Sequence, residues 1–550
     1  MEFSIANIFR AIAAASPNRT AIVHRNKRMT YAELDMKTDQ LAKLLISKGI
    51  GLHKERHKLQ SWESGQDHIA IYMRNRPEYI ETLLAAMKAR ATGFNVNFRF
   101  TETELTYLLD NADTSAIIYE AKFVEQIVSL SNQRKTAEPY KLLLQVDEDL
   151  LTKSKPNYLC YEREIARQQS GNLNTAPSPD DIFLLFTGGT TGMPKGVLWR
   201  QADVINTLIG TKLDSIDAIV DRALSKPAQR FLLLPPFMHG TAQWNALSAL
   251  FGGNEIHIQD NVDSLKPDEI LSLVEREKIN VISMVGDAFG RPICEALNSG
   301  AYDFSSITHI LNSGAILSKD VKAAFLAAAP DASVVDTIGA SESGPQAKRI
   351  TSLKTATKVE ESSIEAKFKA GATTVVVNEN KTRLLLPGHK GEGWLAKRST
   401  IPFGYLGDPE KTKTTFVVIE GIRYSVPGDR VRLLEDGTID FCGRDATTIN
   451  SGGEKIFAEE VEGAVRFHPE VADAIVSSRP SERWGNEVVA IIQSRSGSEI
   501  PRNEIIAECG KHIARYKIPK QILFVENIKR GDNGKADLKW AKSLAESSNN

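Results

Sequence analysis

The densest set of anion donors in the chain is Thr187-Gly188-Gly189-Thr190-Thr191-Gly192-Met193-Pro194-Lys195-Gly196, with four glycines, three threonines and a lysine in ten residues. Glycines let a backbone approach an anion and take positive φ. Successive N–H groups then make a concave anion site, threonine hydroxyls add donors, and Lys195 adds a point charge. The expectation is a flexible clamp on a polyphosphate. A Gly/Thr-rich surface turn is the plainer alternative. A P-loop needs G-x-x-x-x-G-K-[ST] opening a helix. Here Pro194 precedes the lysine and Gly196 follows it, so no hydroxyl is placed for magnesium.

Three other clusters carry useful groups. Ser341-Glu342-Ser343 follows Gly339-Ala340, and a carboxylate there can hold Mg²⁺, a hard cation bound by few protein oxygens plus substrate phosphates. A helix-capping glutamate is the alternative. Asp429 follows a Pro427-Gly428 turn, and one carboxylate can accept from two ribose hydroxyls, although most such residues are ordinary turn aspartates. His239, in Pro235-Pro236-Phe237-Met238-His239-Gly240, is a lone histidine of the kind that is more often structural.

These residues need elements to hold them. The apolar run at 182–186 reads as a buried strand feeding the glycine loop. Helical spacing covers 5–15, and Thr30 with Glu33 makes a capping box that opens a second helix. From Arg230 to Gly344, strands (231–234, 281–285, 310–311, 333–335) alternate with helices, one capped by Asp268 and one by Ser318. Such alternation predicts an α/β fold, a mostly parallel sheet covered by helices, with ligands beyond the carboxyl ends of its strands. Residues 345–443 look β-rich, and a small α/β unit follows Arg444. The polar stretch 51–67, with His53-Lys54-Glu55-Arg56-His57-Lys58, reads as a solvated loop, with a membrane-surface or partner contact as the alternative.

At 550 residues, two or more domains are expected. Lys+Arg 68 against Asp+Glu 69 gives net charge -1, without the basic excess usual in a nucleic-acid binder. The four cysteines, Cys160, Cys294, Cys442 and Cys509, form no C-x-x-C pair, which argues against zinc or a disulfide framework. Without a signal peptide or a long apolar run, the expected location is cytoplasmic.

Taken together, these motifs resemble the acyl-adenylate-forming superfamily, which includes acyl-CoA synthetases, beetle luciferases and peptide-synthetase adenylation domains. The resemblance runs from about Thr30 to Lys542, with the motifs in the family's order. It implies a large N-terminal domain of helix-covered mostly parallel sheets with a β-rich subdomain (1–443), a hinge at 444–446 that includes Ala446, and a small mobile C-terminal α/β domain (447–550). The glycine loop, with Thr187 to Gly192 and Lys195, becomes the phosphate loop. Ser341-Glu342 matches the family's T-E, which touches phosphates and metal. Asp336 would sit at the adenine edge beside Ser313, Gly314, Ala315 and Gly339, and Ile338 stands where the family places an aromatic. Asp429 matches the acid of T-G-D, with Pro427 in place of threonine, and Arg444 the second ribose contact.

By the same resemblance His239 becomes a gate beside an acyl pocket lined by Trp244, Gly286, Gly314 and Gly339, with Asp287 and Ala315 close by. Gly452-Gly453-Glu454-Lys455 matches the loop that faces CoA. Lys535, in Gly534-Lys535-Ala536-Asp537, matches the lysine that bridges carboxylate and α-phosphate, where it would stabilise growing charge. The implied activity is ATP-dependent, Mg²⁺-requiring acyl-CoA synthesis through acyl-AMP. The phrases Lys195-Gly196-Val197-Leu198-Trp199-Arg200 and Trp540-Ala541-Lys542 suggest the bacterial fatty-acyl-CoA branch, including ligases for steroid side chains. The implied partners are the acid, ATP and CoA, and a homodimer stays open. An acyl-AMP ligase loading a carrier protein and a non-catalytic sensor on the same fold are the rivals. Retention of Lys195, Glu342 and Lys535 speaks against the sensor.

Overall fold

The computed structural model describes all residues except 1, 134–139, 148–158, 189–192, 211–213, 301, 315–316, 318, 354–366, 445–447, 496, 498, 530–536 and 549–550. Ser318, expected as a helix cap, therefore lies outside the described residues.

Short apolar runs do become strands. Arg230–Leu233, Val281–Met284, His309–Ser313 and Ser333–Ala340 are neighbours in one sheet and run parallel. Glu255–Ile258 and Thr20–His24 extend the parallel half on one side. At Gly344–Thr351 the sheet turns antiparallel and continues through Phe368–Ala370, Thr438–Arg444, Asp429–Leu433 and Gly393–Arg398. Among the described residues this sheet has fifteen strands. A second, wholly parallel sheet is built from Thr92–Asn95, His68–Tyr72, Thr114–Glu120, Leu142–Val146 and Leu159–Cys160. The α/β expectation thus holds, with the β-rich part fused edge-on to the parallel half.

Helices cover the sheets. Ile5–Ala15 and Tyr31–Ser47 form where expected, and Thr30 and Glu33 make both hydrogen bonds of the capping box. Helix Pro77–Lys88 is buried along almost its whole length, and its Lys88 ammonium sits 2.6 Å from both Asp35 and Asp39. One cap differs from expectation. Helix Pro267–Glu277 is capped by Lys266 with Pro267 in its first turn, which shifts Asp268 inside the helix. Proline suits that first position because its missing N–H would be unpaired there anyway.

The polar stretch 51–67 is not a free solvated loop. Asp67 is buried and accepts from His53, Lys141 and Gly51 N. Arg56 lies over the Phe403 ring at 4.7 Å, and Trp62 O accepts from Gly407 N at 2.8 Å. The stretch clasps the segment that leads to Tyr405 and Asp408.

After residue 447, Val471–Ser481 pairs with Gly485–Ser494 and then Gln521–Phe524, packed on helix Ala458–Arg466 around a core of its own. A hairpin, Thr448–Ser451 with Glu454–Phe457, projects from this unit onto the larger one. Lys517 reaches across to Glu104 at 2.5 Å while also holding Glu460 at 2.5 Å; Lys517 and Glu104 are buried and Glu460 is partly buried. No described helix is long and apolar enough to cross a membrane.

Candidate active site

Strands Ile182–Gly188 and Pro194–Arg200 are antiparallel and pair Thr187 with Lys195 and Gly188 with Pro194. The strands on either side of the glycine stretch thus pair with each other, and the residues after it form a strand, not the helix a P-loop would open. Gly189, Thr190, Thr191 and Gly192 lie outside the described residues. Gly196 has a packing reason: a Cβ there would come within 2.9 Å of the Phe186 ring. Gly404–Tyr405 adds to the other edge of the pair. That pairing brings Asp408, the cap of helix Pro409–Thr415, to Lys195, whose Nζ donates to Asp408 Oδ2 at 3.1 Å.

Glu342 lies in the turn between Ser333–Ala340 and Gly344–Thr351, half-buried and facing this group. Its Oε1 accepts from the Tyr405 phenol at 2.9 Å. Burial pushes the Tyr405 hydroxyl well above its ordinary range, and the Glu342 carboxylate adds to that, so the phenol stays a donor. Lys411 belongs to the same cluster. Burial lowers its ammonium first and the charge of Lys195 lowers it further, against the pull of Glu342 and Asp408. Two lysines from separate elements thus converge beside two carboxylates, an arrangement suited to an anion with several oxygens.

The expected ribose pair sits on adjacent strands: Asp429 is the cross-strand partner of Arg444, and Asp429 is buried. Ala446 falls outside the described residues. Asp336, expected at the adenine edge, is held by protein groups. It is buried, with Oδ1 accepting from Asn312 at 2.8 Å and Oδ2 from Lys322 at 2.5 Å and Arg349 at 3.0 Å. A carboxylate surrounded by two cations and an amide is a fastening between the parallel and antiparallel halves. Ile338, like Phe368 and Leu433, is partly buried against the β-rich core of Ala347, Val376, Leu395 and Val431.

The expected acyl residues gather at the carboxyl ends of consecutive parallel strands. Gly286 caps helix Asp287–Leu297 with φ +59° and donates its N–H to Asn312 Oδ1 at 2.7 Å. Ser313 Oγ is 3.2 Å from Thr241 Oγ1, Gly314 has φ +82°, and a Cβ on Gly339 would strike Gly344 O at 2.5 Å. Trp244 packs edge-on against Trp199, 5.1 Å between centroids. Ala315 lies outside the described residues.

The C-terminal hairpin is seated on this same side. Gly453 has φ +83°, and a Cβ there would be 2.7 Å from Val285; Gly452 abuts Trp484. Glu454 Oε1 meets His239 Nε2 at 3.1 Å and Arg99 Nη1 at 2.6 Å. Burial works to raise the Glu454 carboxyl, but His239 and then Arg99 outweigh it and hold it below its usual range. The backbone of Lys455 lies in the second strand of the hairpin. Lys535 lies outside the described residues. Sequence reasoning missed Arg99, Tyr405, Asp408 and Lys411. Their signal is weak, because each gains its meaning only from a partner far along the chain.

A paired-strand frame for Lys195, a carboxylate on the facing turn and strand-end glycines on a split parallel–antiparallel sheet fit the adenylate-forming class of α/β enzymes. The chain belongs to the AMP-binding enzyme family, whose description "AMP-binding enzyme" matches residues 9–406 and whose "AMP-binding enzyme C-terminal domain" matches residues 460–535. It is 41% identical to the medium-chain acyl-CoA ligase Mig of Mycobacterium avium, over 99% of this chain and 98% of that one. It is 34% identical to the 3-oxocholest-4-en-26-oate–CoA ligase of Rhodococcus rhodochrous, over 98% and 96% of the two chains. In fold it is similar to the amide bond synthetase McbA from Marinactinospora thermotolerans, with TM-score 0.80 at 20% identity over 98% and 99% of the chains.

Proposed function

We propose that this chain joins a carboxylic acid to CoA in two steps, consuming ATP and releasing AMP and pyrophosphate. The acid class that fits its relatives is a medium- or long-chain fatty acid or a bulky acid of the steroid side-chain kind. In the first step the acid's carboxylate oxygen attacks the α-phosphorus, the bond to the β-phosphate oxygen breaks, and pyrophosphate leaves. In the second, the CoA thiolate attacks the acyl carbon, the mixed anhydride opens, and AMP leaves.

The residues take roles that follow from their chemistry. Thr187, Lys195 and the stretch Gly188 to Gly192 would hold the leaving phosphates, with Lys411 a further cation. Asp429 and Arg444 would hold the ribose, and Asp336 would act as a structural fastening behind the adenine. His239, Trp244, Gly286, Gly314 and Gly339 would border the acyl group. Lys535 would stabilise charge in the first step only. Residues 1–443 would act as one body and 447–550 as a second that turns about 444–446.

Mg²⁺ fits the donor set. Glu342 offers a half-buried carboxylate with one oxygen engaged by Tyr405. No group of three or more His, Cys, Asp or Glu able to hold a metal occurs among the described residues. A hard cation that takes few protein oxygens and completes its shell with phosphate and water suits such a site. When bound, it would neutralise charge on the phosphates, with Glu342 as its protein ligand.

The observation that carries the proposal is the contact of Glu454 with both His239 and Arg99. It seats the C-terminal hairpin at the acyl-side strand ends, the arrangement a thiol would need to reach an acyl carbon. A cavity of about 240 Å³ opens beside it, lined by Arg74, Phe98, Arg99, Lys122, Phe123 and Asp263, with Asp263 paired to both Arg74 and Lys122. The test is carboxylate-dependent ATP–pyrophosphate exchange over a panel of acids, followed by thioester analysis with and without CoA. Exchange without any thioester would favour a carrier-protein ligase, and absence of exchange would end the proposal.

A further inference from the structure

The turn that carries Glu342 is pinned at three successive carbonyls by side chains from three different strands. Trp199 Nε1 donates to Ser341 O at 2.7 Å, Ser425 Oγ to Glu342 O at 2.6 Å, and Lys397 Nζ to Ser343 O at 2.8 Å. Those strands are Pro194–Arg200, Ile422–Ser425 and Gly393–Arg398. Ser343 Oγ closes the turn from within by accepting from Ala340 N at 3.3 Å. Gly344 leaves it with φ +64°, and a Cβ there would be 3.1 Å from Thr207 and 3.4 Å from Trp244. The backbone on both sides of Glu342 is therefore fixed, and Tyr405 fixes the carboxylate itself.

Lys397 is the anomaly among the pegs. It is 3% exposed, and its ammonium donates to a neutral carbonyl. The acid whose charge acts on it, Asp203, lies on helix Gln201–Ile209. Burying an ammonium costs several kcal/mol unless it is well paired, and an apolar side chain of similar volume would cost the fold less. Stability alone gives no reason to keep a lysine here. Position does: a charged donor on the Ser343–Gly344 peptide resists rotation of the chain as it leaves Glu342, which would swing the carboxylate away from Tyr405. Groups that orient a metal-binding side chain are worth about 10- to 100-fold in metal affinity or activity.

We propose that Lys397 is a positioning residue for the Glu342 carboxylate, acting through the Ser343 carbonyl and backed by Ser425 and Trp199. This rests on the reading of Glu342 as the protein ligand for magnesium-bound phosphates.

Lys397→Met removes the donor and the buried charge while keeping the volume. Its melting temperature should stay level or rise. Its affinity for Mg·ATP, by titration calorimetry, should fall about 10- to 100-fold, while its affinity for ATP in EDTA should hold. Ser425→Ala removes a neighbouring peg by another chemistry and should give the same magnesium-selective loss; it decides the matter if Lys397→Met does not fold. Equal Mg·ATP affinity in wild type and both variants overturns the proposal. So does a parallel fall of melting temperature, Mg·ATP affinity and ATP affinity, which would mark Lys397 as structural. A wild type whose ATP affinity ignores magnesium would instead overturn the reading of Glu342 on which the proposal stands.

Discussion

Lys517→Met should uncouple the two half-reactions. Lys517 Nζ sits 2.5 Å from Glu104 of the larger unit and 2.5 Å from Glu460 of its own, with side-chain exposures of 4%, 2% and 9%. Methionine keeps the volume and leaves the buried Glu104 and the partly buried Glu460 facing each other without their ammonium. Breaking a buried pair by removing one partner costs about 3–5 kcal/mol, which is about 150- to 5,000-fold in the equilibrium between docked and undocked units at 1.36 kcal/mol per decade. Undocking returns Glu104 to water, so the penalty falls on the docked orientation. The loss in rate is smaller than this by whatever margin docking was favoured at the start. Two assays read it: thioester formation from synthetic acyl-AMP and CoA, and acid-dependent ATP–pyrophosphate exchange. The first should fall steeply and the second should not. Equal losses in both, or an unchanged thioester rate, would refute the assignment of this triad to the thioester orientation.

Other outcomes follow from the same geometry. Burial pushes the Glu460 carboxyl up to about 7, against the pull of Lys517 and with Glu104 adding to the rise. Undocking removes Glu104, so the docked state holds a proton that the undocked state releases. Docking should therefore strengthen as pH falls from about 7 toward the ordinary glutamate value of about 4.3, and Glu460→Gln should flatten that trend in small-angle scattering. Asp429→Ala should weaken ATP about 10- to 150-fold, the worth of a hydrogen bond to a charged group; an unmoved ATP KM with a raised fatty-acid KM would contradict the ribose role. Lys535→Ala should cut adenylation by about 10²-fold or more and spare thioester formation from supplied acyl-AMP, whereas equal losses would make it structural.

Much of the frame was legible because it rests on local rules. The Thr30–Glu33 capping box is written within four residues and forms as read. The apolar runs at 281–285 and 310–311 were readable as strands because a sheet buried on both faces tolerates little else. Local rules mislead where a neighbour competes: Asp268 is a good cap, but Pro267 had already claimed the first turn. They are silent where meaning depends on distance along the chain. Nothing near Asp336 in the sequence announces that Lys322 and Arg349 surround it. The 51–67 stretch looks solvated until Arg56 finds Phe403. Tyr405 and Glu342 are 63 residues apart, and Lys517 and Glu104 are 413 apart. No periodicity or spacing encodes such meetings.

The union of the parallel and antiparallel strands in one sheet bears on how the chain can be divided. Ser333–Ala340 has His309–Ser313 on one side and Gly344–Thr351 on the other, so a cut before Gly344 would leave a long bare edge. Open edges of that length recruit other strands and aggregate. Asp336 would lose Arg349 at the same cut and keep a buried charge less well matched. The acyl-side and ribose-side halves are therefore inseparable as folding units, and fragments split between them should be insoluble when expressed apart. The C-terminal sheet of Val471–Ser481, Gly485–Ser494 and Gln521–Phe524 has a core of its own and meets the rest through side chains. The joint at which such a protein could exchange parts with a relative, or be rebuilt with a new one, would be the proposed hinge at 444–446 and not a point inside the long sheet.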